Sequence, residues 1–238
     1  MNLESRFFKT DDPHTDFFVY ELNKTWWSRF YEYEWCKNFI HPNDIILDAA
    51  SGVFHPFKYY CVGKCKEIYA CDIDPLIDQD LRTIENCPEE FADKIQVLSE
   101  LQSKIENQFC SINSMPYKDN FFDKVFCISV LEHLPDFWHS ISRKKSKLCY
   151  NEIKMTILSI GKKMISESIK EFRRVLKPGG QLIMTFDYPR VNLNYLEKIL
   201  ISNNFNFLGK LDKNMPDNAL FADNHKLYCF RMVVEKMI

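Results

Sequence analysis

Two short apolar runs in this chain each end in a carboxylate, one at Asp48 and the other at Asp72. Small residues follow the first run, so the turn over residues 48–52 can bring backbone close to a ligand. The two carboxylates are 24 residues apart, about the length of one strand–helix–strand unit. In an open parallel sheet, ligands bind outside the carboxyl ends of the strands. The spacing therefore predicts a ligand pocket where Asp48 and Asp72 meet.

The turn after the first run indicates which ligand this pocket takes. A carboxylate at the end of the second strand can accept hydrogen bonds from both hydroxyl groups of a ribose. Enzymes that bind dinucleotides seat the pyrophosphate on three glycines, whereas this chain has Ala50, Gly52 and Phe54 at the alternate positions. The sequence therefore predicts a nucleoside ligand without phosphates, for which S-adenosylmethionine is the cellular candidate.

Three later segments extend the pattern over roughly residues 44–190. They are residues 111–117, residues 121–134 and residues 171–185, the last of which holds a proline–glycine turn before an apolar strand. Together with the runs that end in Asp48 and Asp72, and in the same order, these segments resemble class I S-adenosylmethionine-dependent methyltransferases of the type 11 kind. The resemblance implies an enzyme that transfers a methyl group from S-adenosylmethionine to an acceptor.

The same resemblance implies a fold class. The fold is α/β, a Rossmann-like seven-stranded and mostly parallel sheet with helices on both faces and an antiparallel last strand. We expect a single methyltransferase domain over residues 1–238, with an N-terminal helical lid over 1–43. A helical insertion over 135–170 is expected on the substrate side, because this stretch is longer than family members usually have.

Apolar patterning and turn residues place the individual elements. Helices are predicted over residues 56–65, 76–85, 88–106 and 193–202, and strands over 108–112, 124–129, 181–186, 205–209 and 227–235. Residues 1–16 are polar, and we expect them to be loosely held. Residues 16–39 are rich in aromatic side chains and are predicted to form one or two helices.

The aromatic residues of segment 16–39 lie on too many helix faces to form a one-sided stripe. Two interpretations stay open. The segment caps the hydrophobic core, or it forms a lid over the nucleoside pocket from which Arg29 or Tyr31 reaches the carboxylate of the cofactor. The resemblance favours a lid, because the segment before the first strand often closes on the cofactor in this family.

The resemblance also assigns roles to individual residues. It places Asp48 and Gly52 near the methionine part of the cofactor, Asp72 at the ribose, Ile112 at the adenine ring and Cys127 at the amino-acid end. Ser111 stands where the family often has an aspartate that meets the adenine amino group. The predicted cofactor-binding residues are Asp48, Gly52, Asp72, Ile73, Ser111, Ile112 and Cys127, together with Arg29 and Tyr31.

Methyl transfer needs little catalytic machinery, because the sulfonium is already an activated leaving group and much of the acceleration comes from alignment. A base is needed only for a hydroxyl acceptor or a protonated amine. His133 is the first candidate, since it follows the strand whose end faces the cofactor. Asp187 and Tyr188 lie just past the fifth strand and are predicted to line the acceptor pocket. Glu132 and His55 are further candidates near the strand ends.

Composition indicates one sizeable folded domain. The chain has 238 residues, of which 46% are hydrophobic and 15% aromatic. The net charge of −2 predicts no global attraction to nucleic acid or to an anionic membrane. Nine cysteines, an odd number, and an N-terminus without a signal-peptide pattern predict a soluble, cytoplasmic protein. No metal site is predicted, because no second pair or nearby histidine completes Cys61 and Cys65.

The stretch 135–177 is basic, with eleven lysines and arginines against four acidic residues. It could bind phosphate, an acidic sugar or nucleic acid, or it could be the solvated face of a long amphipathic helix. Three functions therefore remain open. They are methylation of an O or N atom of a small-molecule acceptor such as a sugar, glycan intermediate or other metabolite, methylation of RNA or DNA, and a catalytically inactive partner protein that binds S-adenosylmethionine. No membrane span is predicted, and the oligomeric state is left open.

Overall fold

A computed structural model describes residues 3–85, 87–134 and 150–238. The described helices are α1 (Arg29–Cys36), α2 (Phe57–Cys61), α3 (Ile95–Gln102), α4 (Tyr150–Val175) and α5 (Leu193–Ser202). The described strands are β1 (Arg6–Phe7), β2 (Ile45–Ala49), β3 (Glu67–Asp72), β4 (Glu106–Phe109), β5 (Phe122–Ile128), β6 (Leu176–Tyr188), β7 (Phe205–Phe207), β8 (Phe221–Ala222) and β9 (Leu227–Lys236).

All nine described strands belong to one sheet, whose order is β1-β9-β6-β5-β2-β3-β4, with β7 and β8 also paired to β9. The pairs among β2, β3, β4, β5 and β6 are parallel, and β9 is antiparallel to β6. The predicted Rossmann-like fold with a final antiparallel strand is confirmed. The strand count is higher than the predicted seven, because the long β9 also pairs with the two-residue strands β1 and β8.

The parallel strands form because apolar residues cover both of their faces, as is typical of parallel sheets with helices on each side. Neighbouring residues of β2 show this, since Leu47 packs into one hydrophobic cluster and Ile46 into the other. In β5, Val125 and Phe126 divide between the same two clusters. The sheet therefore separates two cores, and its carboxyl edge is left for the loops that carry polar side chains.

The N-terminal residues differ from the prediction. Residues 1–16 were expected to be loosely held, but β1 pairs with β9, and Phe7 and Phe8 are fully buried. Of segment 16–39, only Arg29–Cys36 is α-helical, and a 3-10 turn continues it over Lys37–Phe39. The prediction of one or two helices over 16–39 was therefore too long, because most of the aromatic residues before Arg29 pack as irregular chain.

The predicted helix over 193–202 matches α5, and the predicted strands over 124–129 and 181–186 lie largely within β5 and β6. The helix predicted over 76–85 is instead a pair of 3-10 turns, and the third strand begins earlier, at Glu106. Residues 135–149 of the predicted insertion lie outside the described residues, and the remainder of the insertion lies in α4. None of the described helices is both long and apolar enough to cross a membrane.

The position of β1 gives a direct test. We expect Phe7→Ala to lower the free energy of unfolding by about 3–5 kcal/mol, because deleting a buried ring leaves a cavity in the core. Phe17, which is 64% exposed, is the matched control, and Phe17→Ala should change the free energy by less than about 0.5 kcal/mol. Urea denaturation followed by fluorescence measures both. Equal effects of the two substitutions would contradict the pairing of β1 with β9.

Candidate functional site

Three adjoining cavities lie at the carboxyl ends of the parallel strands. The large cavity has a volume of about 670 Å³, the middle cavity about 160 Å³ and the outer cavity about 290 Å³. Ser129, directly after β5, and His133, one turn further on, line all three. The cavities therefore meet at the end of β5, where a ligand in one can approach a ligand in the next.

The loop after β2 forms the boundary between the large and middle cavities. Ala50 and Gly52 both have left-handed backbone conformations, with φ of 55° and 62°. A Cβ atom on Gly52 would collide with the ring of His55, so a glycine is required there. The Gly52 N–H donates to Asp72 Oδ2 at 2.8 Å, and the Asp74 N–H donates to Asp72 Oδ1 at 2.9 Å. Asp72 thus fixes this loop against the end of β3.

The large cavity combines apolar walls with a few polar groups. Its residues are Ala50, Asp72, Ile73, Cys110, Ser111, Ile112, Asn113, Ser129, Val130, His133, Leu134 and Met164. The Ser111 hydroxyl donates to Asn113 Oδ1 at 2.6 Å, so its oxygen keeps lone pairs that can accept a further hydrogen bond. Such a lining suits a flat heterocycle that also carries hydroxyl or amino groups.

The middle cavity is lined by Arg29, Asp48 and Asp72, among others, and contains a buried carboxylate oxygen. Asp48 is 3% exposed, and its Oδ2 has no hydrogen-bond partner among the described residues. Burial raises the pKa of Asp48, and the charge of nearby Lys58 opposes this rise. Lys58 is itself fully buried and donates to the Gly52 carbonyl, and burial lowers its pKa. The buried charges of Asp48 and Lys58 therefore lie next to the loop after β2, and Lys58 is hydrogen-bonded to it.

The outer cavity has one wall from the N-terminal segment and another from the strand ends. Trp26, Trp27 and Arg29 form part of the first wall, and Glu132 and Asp187 belong to the second. His55 lies between this cavity and the middle one, with its ring 4.6 Å from that of Trp26. Burial lowers the pKa of His55 to about 3, which makes it neutral and a weak base near neutral pH.

Glu32 attaches α1 to the strand ends. It is fully buried, pairs with Arg29, and accepts hydrogen bonds from Ser129 Oγ at 2.8 Å and Cys229 Sγ at 3.2 Å. Although burial alone would raise the pKa of Glu32, the Arg29 guanidinium and the hydrogen bonds hold it below its ordinary value. Glu32 is therefore an ionised group that fixes the position of Arg29 at the middle and outer cavities.

Glu132 and Asp187 are also buried, but unlike Glu32 they have oxygens without hydrogen-bond partners among the described residues, and their pKa values are raised. Glu132 is 2% exposed and Asp187 7% exposed. Neither Glu132 oxygen has a hydrogen-bond partner among the described residues, and the same holds for Asp187 Oδ1. Burial and the charge of Asp187 raise the pKa of Glu132 to about 8. Burial and the charge of Glu32 raise the pKa of Asp187 to about 6.

Most of the predicted site residues line the cavities. Arg29, Asp48, Gly52 and Asp72 line the middle cavity, Ile73, Ser111 and Ile112 the large one, Asp187 the outer one, and His133 all three. Tyr31, Tyr188 and Cys127 do not line these described cavities. Tyr31 lies beside His14, Cys127 is fully buried in the core, and Tyr188 packs against Phe7, because successive residues of β6 point to opposite faces.

Sequence reasoning missed Glu32 and Lys58. Each is a charged residue inside an aromatic run, Tyr31-Glu32-Tyr33 and Phe57-Lys58-Tyr59. A charge in such a setting is a signal of a buried pair, although the partner cannot be read from the sequence. Among the described residues, no group of three or more His, Cys, Asp or Glu side chains could hold a metal ion.

Comparisons with known proteins bear on the domain and the fold. Residues 47–145 match a family model described as a methyltransferase domain. No curated protein matches the sequence. The structure is similar to the PH0226 protein from Pyrococcus horikoshii OT3, with 16% identity, a TM-score of 0.53, and coverage of 90% of this chain and 92% of that chain.

Two further similar structures show how widely the fold is used. The cyclase SpnF has 14% identity and a TM-score of 0.53, over 83% of this chain and 76% of that chain. The CurJ carbon methyltransferase has 14% identity and a TM-score of 0.50, over 83% of this chain and 49% of that chain. At such identities these likenesses show the fold and leave the reaction to be argued from the site.

Residues 47–145 thus match a methyltransferase domain, and the described residues have the Rossmann-like fold; both findings support S-adenosylmethionine as the cofactor. The described residues fit this cofactor. The large cavity provides apolar walls beside the Asp72 carboxylate, as an adenosine requires. The unpartnered Asp48 oxygen in the middle cavity is an acceptor for an ammonium group.

The unpartnered carboxyl of Glu132 makes stability depend on pH. The folded protein holds this proton more tightly than the unfolded chain, because the pKa of Glu132 is raised from 4.5 to about 8. Raising the pH through the window from 4.5 to about 8 therefore lowers the free energy of unfolding of the native protein. Glu132→Gln removes the titration, so we expect it to be more stable than the native protein by about 1–3 kcal/mol above the window and equally stable below it.

Urea denaturation of both proteins across this pH range measures the difference. Glu100→Gln, which changes an exposed carboxylate, serves as the control and should show no such pH-dependent gain. A constant difference between Glu132→Gln and the native protein at all pH values would contradict the raised pKa.

Proposed function

We propose that this protein transfers a methyl group from S-adenosylmethionine to an O or N atom of a small-molecule acceptor that occupies the outer cavity. The observation that carries the proposal is the meeting of the three cavities at Ser129 and His133. The outer cavity, of about 290 Å³, has the size of a small-molecule site. It lies beside the middle cavity, where the methionine part of the cofactor belongs.

Residue roles follow from the positions of the cavities. Asp72 accepts hydrogen bonds from the ribose hydroxyls, and Ile73, Ser111 and Ile112 surround the adenine in the large cavity. Asp48 and Arg29 meet the ammonium and carboxylate of the methionine part, next to the Gly52 backbone. The cofactor supplies an electrophilic methyl group on a sulfonium. The chain itself supplies orientation, because it fixes both partners at one strand end.

His133 is the first candidate for a base, since it lines all three cavities. Asp187 is the second, because it lines the outer cavity and its pKa is raised to about 6 by burial and by Glu32. His55 lines the same cavity but is a poorer candidate, since a group with a pKa of about 3 holds a transferred proton weakly.

The alternative of a nucleic acid acceptor has less support. It rested on the basic stretch 135–177, part of which lies outside the described residues. Of the six cations of this stretch whose side chains are described, three form ion pairs with acidic side chains: Lys163 with Glu167, Arg174 with Glu171 and Lys177 with Asp123. Cations that are already paired with acidic side chains are expected on the solvated face of a helix, and they have less charge to offer to phosphate groups.

A labelling experiment tests the proposed function. The protein is incubated with S-adenosylmethionine that carries a tritiated methyl group, together with a cell extract divided by dialysis into small molecules and macromolecules. We expect label in the dialysable fraction. Label confined to RNA, DNA or protein, or no transfer at all from an extract that supports a control methyltransferase, would overturn the proposal.

We expect Asp72→Ala to weaken binding of S-adenosylhomocysteine by about 1–3 kcal/mol, because a charged hydrogen-bond acceptor for the ribose is lost. Asp78→Ala, an exposed carboxylate outside the cavities, is the matched control and should leave the affinity unchanged. Titration calorimetry measures both. Equal affinities of Asp72→Ala and the native protein would remove Asp72 from the ribose site.

His133→Ala tests the base. We expect turnover on the labelled small-molecule fraction to fall by about 100-fold, while the affinity for S-adenosylhomocysteine changes little, because a general base acts on the acceptor rather than on the cofactor. His225→Ala, which alters another imidazole of the outer cavity, is the comparison. Normal turnover in His133→Ala would exclude His133 from the proton transfer and leave Asp187 as the candidate.

A further inference from the structure

The outer cavity holds two buried carboxyl side chains whose oxygens are largely without hydrogen-bond partners among the described residues. Glu132 lies in the 3-10 turn Leu131–His133 that follows β5, and Asp187 lies near the end of the adjacent strand β6. Both line the outer cavity, and both are more than nine-tenths buried. Three of their four oxygens lack a hydrogen-bond partner among the described residues. Buried polar groups are rarely left unpaired in native proteins, so such oxygens point to a missing ligand.

Several cations line the cavity near this pair, yet the three oxygens have no hydrogen-bond partner among the described residues. Arg29 lines the cavity, but its guanidinium is bonded to Glu32. Arg190 and His225 also line the cavity, and their charges act to lower the pKa of Asp187, yet burial and the charge of Glu32 outweigh them. The unpartnered oxygens of Glu132 and Asp187 therefore leave acceptor lone pairs, together with one O–H group where Glu132 is protonated, for a molecule that enters the cavity.

The raised pKa values favour one shared negative charge on the pair near neutral pH. Glu132, whose pKa is raised to about 8, keeps its proton, and Asp187, whose pKa is raised to about 6, is ionised. Glu132 and Asp187 together thus present a single negative charge and several acceptor lone pairs. A ligand with one positive charge and several N–H donors complements this arrangement, whereas a neutral alcohol offers one donor and no charge.

We propose that the acceptor is a cationic amine whose ammonium group binds between Glu132 and Asp187 in the outer cavity. This inference rests on the proposed function, since it names the substrate class of the same site. Trp26 and Trp27 line the same cavity and supply apolar surface for the remainder of the amine. Aromatic faces also attract cations, which adds to the preference for an amine.

The pair also provides for the proton that must leave before the nitrogen can act as a nucleophile. An N–H bond of the ammonium breaks with its electron pair staying on nitrogen, and the proton forms either an N–H bond on the imidazole of His133 or an O–H bond on the Asp187 carboxylate, the two candidate bases named above. The free electron pair on nitrogen is then available to the methyl carbon. Asp187 and Glu132 hold the ammonium in position while this proton is transferred.

Binding of matched amines and alcohols tests this inference without requiring turnover. The protein is saturated with S-adenosylhomocysteine, and benzylamine, benzyl alcohol, n-butylamine and n-butanol are titrated into the complex by calorimetry near neutral pH. We expect each amine to bind at least about tenfold more tightly than its alcohol, the scale of a hydrogen bond to a charged group. Amines that bind no better than their alcohols, including a case in which none binds, would overturn the inference.

Isosteric variants test whether Glu132 and Asp187 cause the preference for amines over alcohols. Glu132→Gln and Asp187→Asn keep the shape of the cavity, and we expect the double variant to bind each amine and its alcohol equally. Glu100→Gln, which alters an exposed carboxylate away from the cavities, should keep the native preference. A double variant that still binds S-adenosylhomocysteine and still prefers amines would also overturn the inference.

The labelling experiment separates the two proposals. Labelled small molecules without any N-methyl product would overturn the amine assignment and leave the proposed function intact. Label restricted to macromolecules would overturn the proposed function, whatever the calorimetry shows. N-methyl products in the dialysable fraction, together with the amine preference, would support both.

Discussion

The arrangement of the site depends on one buried carboxylate, that of Glu32. It holds Arg29 within α1 and accepts hydrogen bonds from Ser129 after β5 and Cys229 in β9. An ionised carboxylate out of water is costly unless it is paired and fully hydrogen-bonded. The position of α1 is therefore stable only when the ends of β5 and β9 are both in place, so the N-terminal wall and the strand ends form one unit.

The same region contains carboxyl groups in two different states. Glu32 has all the partners it needs and keeps its charge, whereas Glu132 and Asp187 have unpartnered oxygens and raised pKa values. The charge of Glu32 contributes to the raised pKa of both. Glu32, which fixes the N-terminal wall, thus also raises the pKa of Glu132 and Asp187 at the cavity, because a nearby like charge favours protonation.

Sequence reasoning was strongest where structure and chemistry share a local signal. The apolar runs that end at Asp48 and Asp72 identify two parallel strands, and strand ends meet at one edge of a sheet, so their meeting could be predicted. Glu32 could not be assigned, because its partner Ser129 is 97 residues away along the chain. The two-residue strand β1 was missed for a similar reason, since it is formed only by pairing with β9.

The loop after β2 has alanine and phenylalanine at two of the three positions where dinucleotide-binding enzymes have glycines, and hydrogen bonds with charged side chains hold its shape. Ala50 adopts a φ of 55°, a conformation that costs a residue with a Cβ roughly 1–2 kcal/mol. Asp72 and Lys58 hold the N–H and the carbonyl of the next glycine, Gly52, which offsets this cost. Phe54 stacks on Phe91 and lines none of the described cavities. Charged partners therefore stabilise a turn in which only one of the three alternate positions is a glycine.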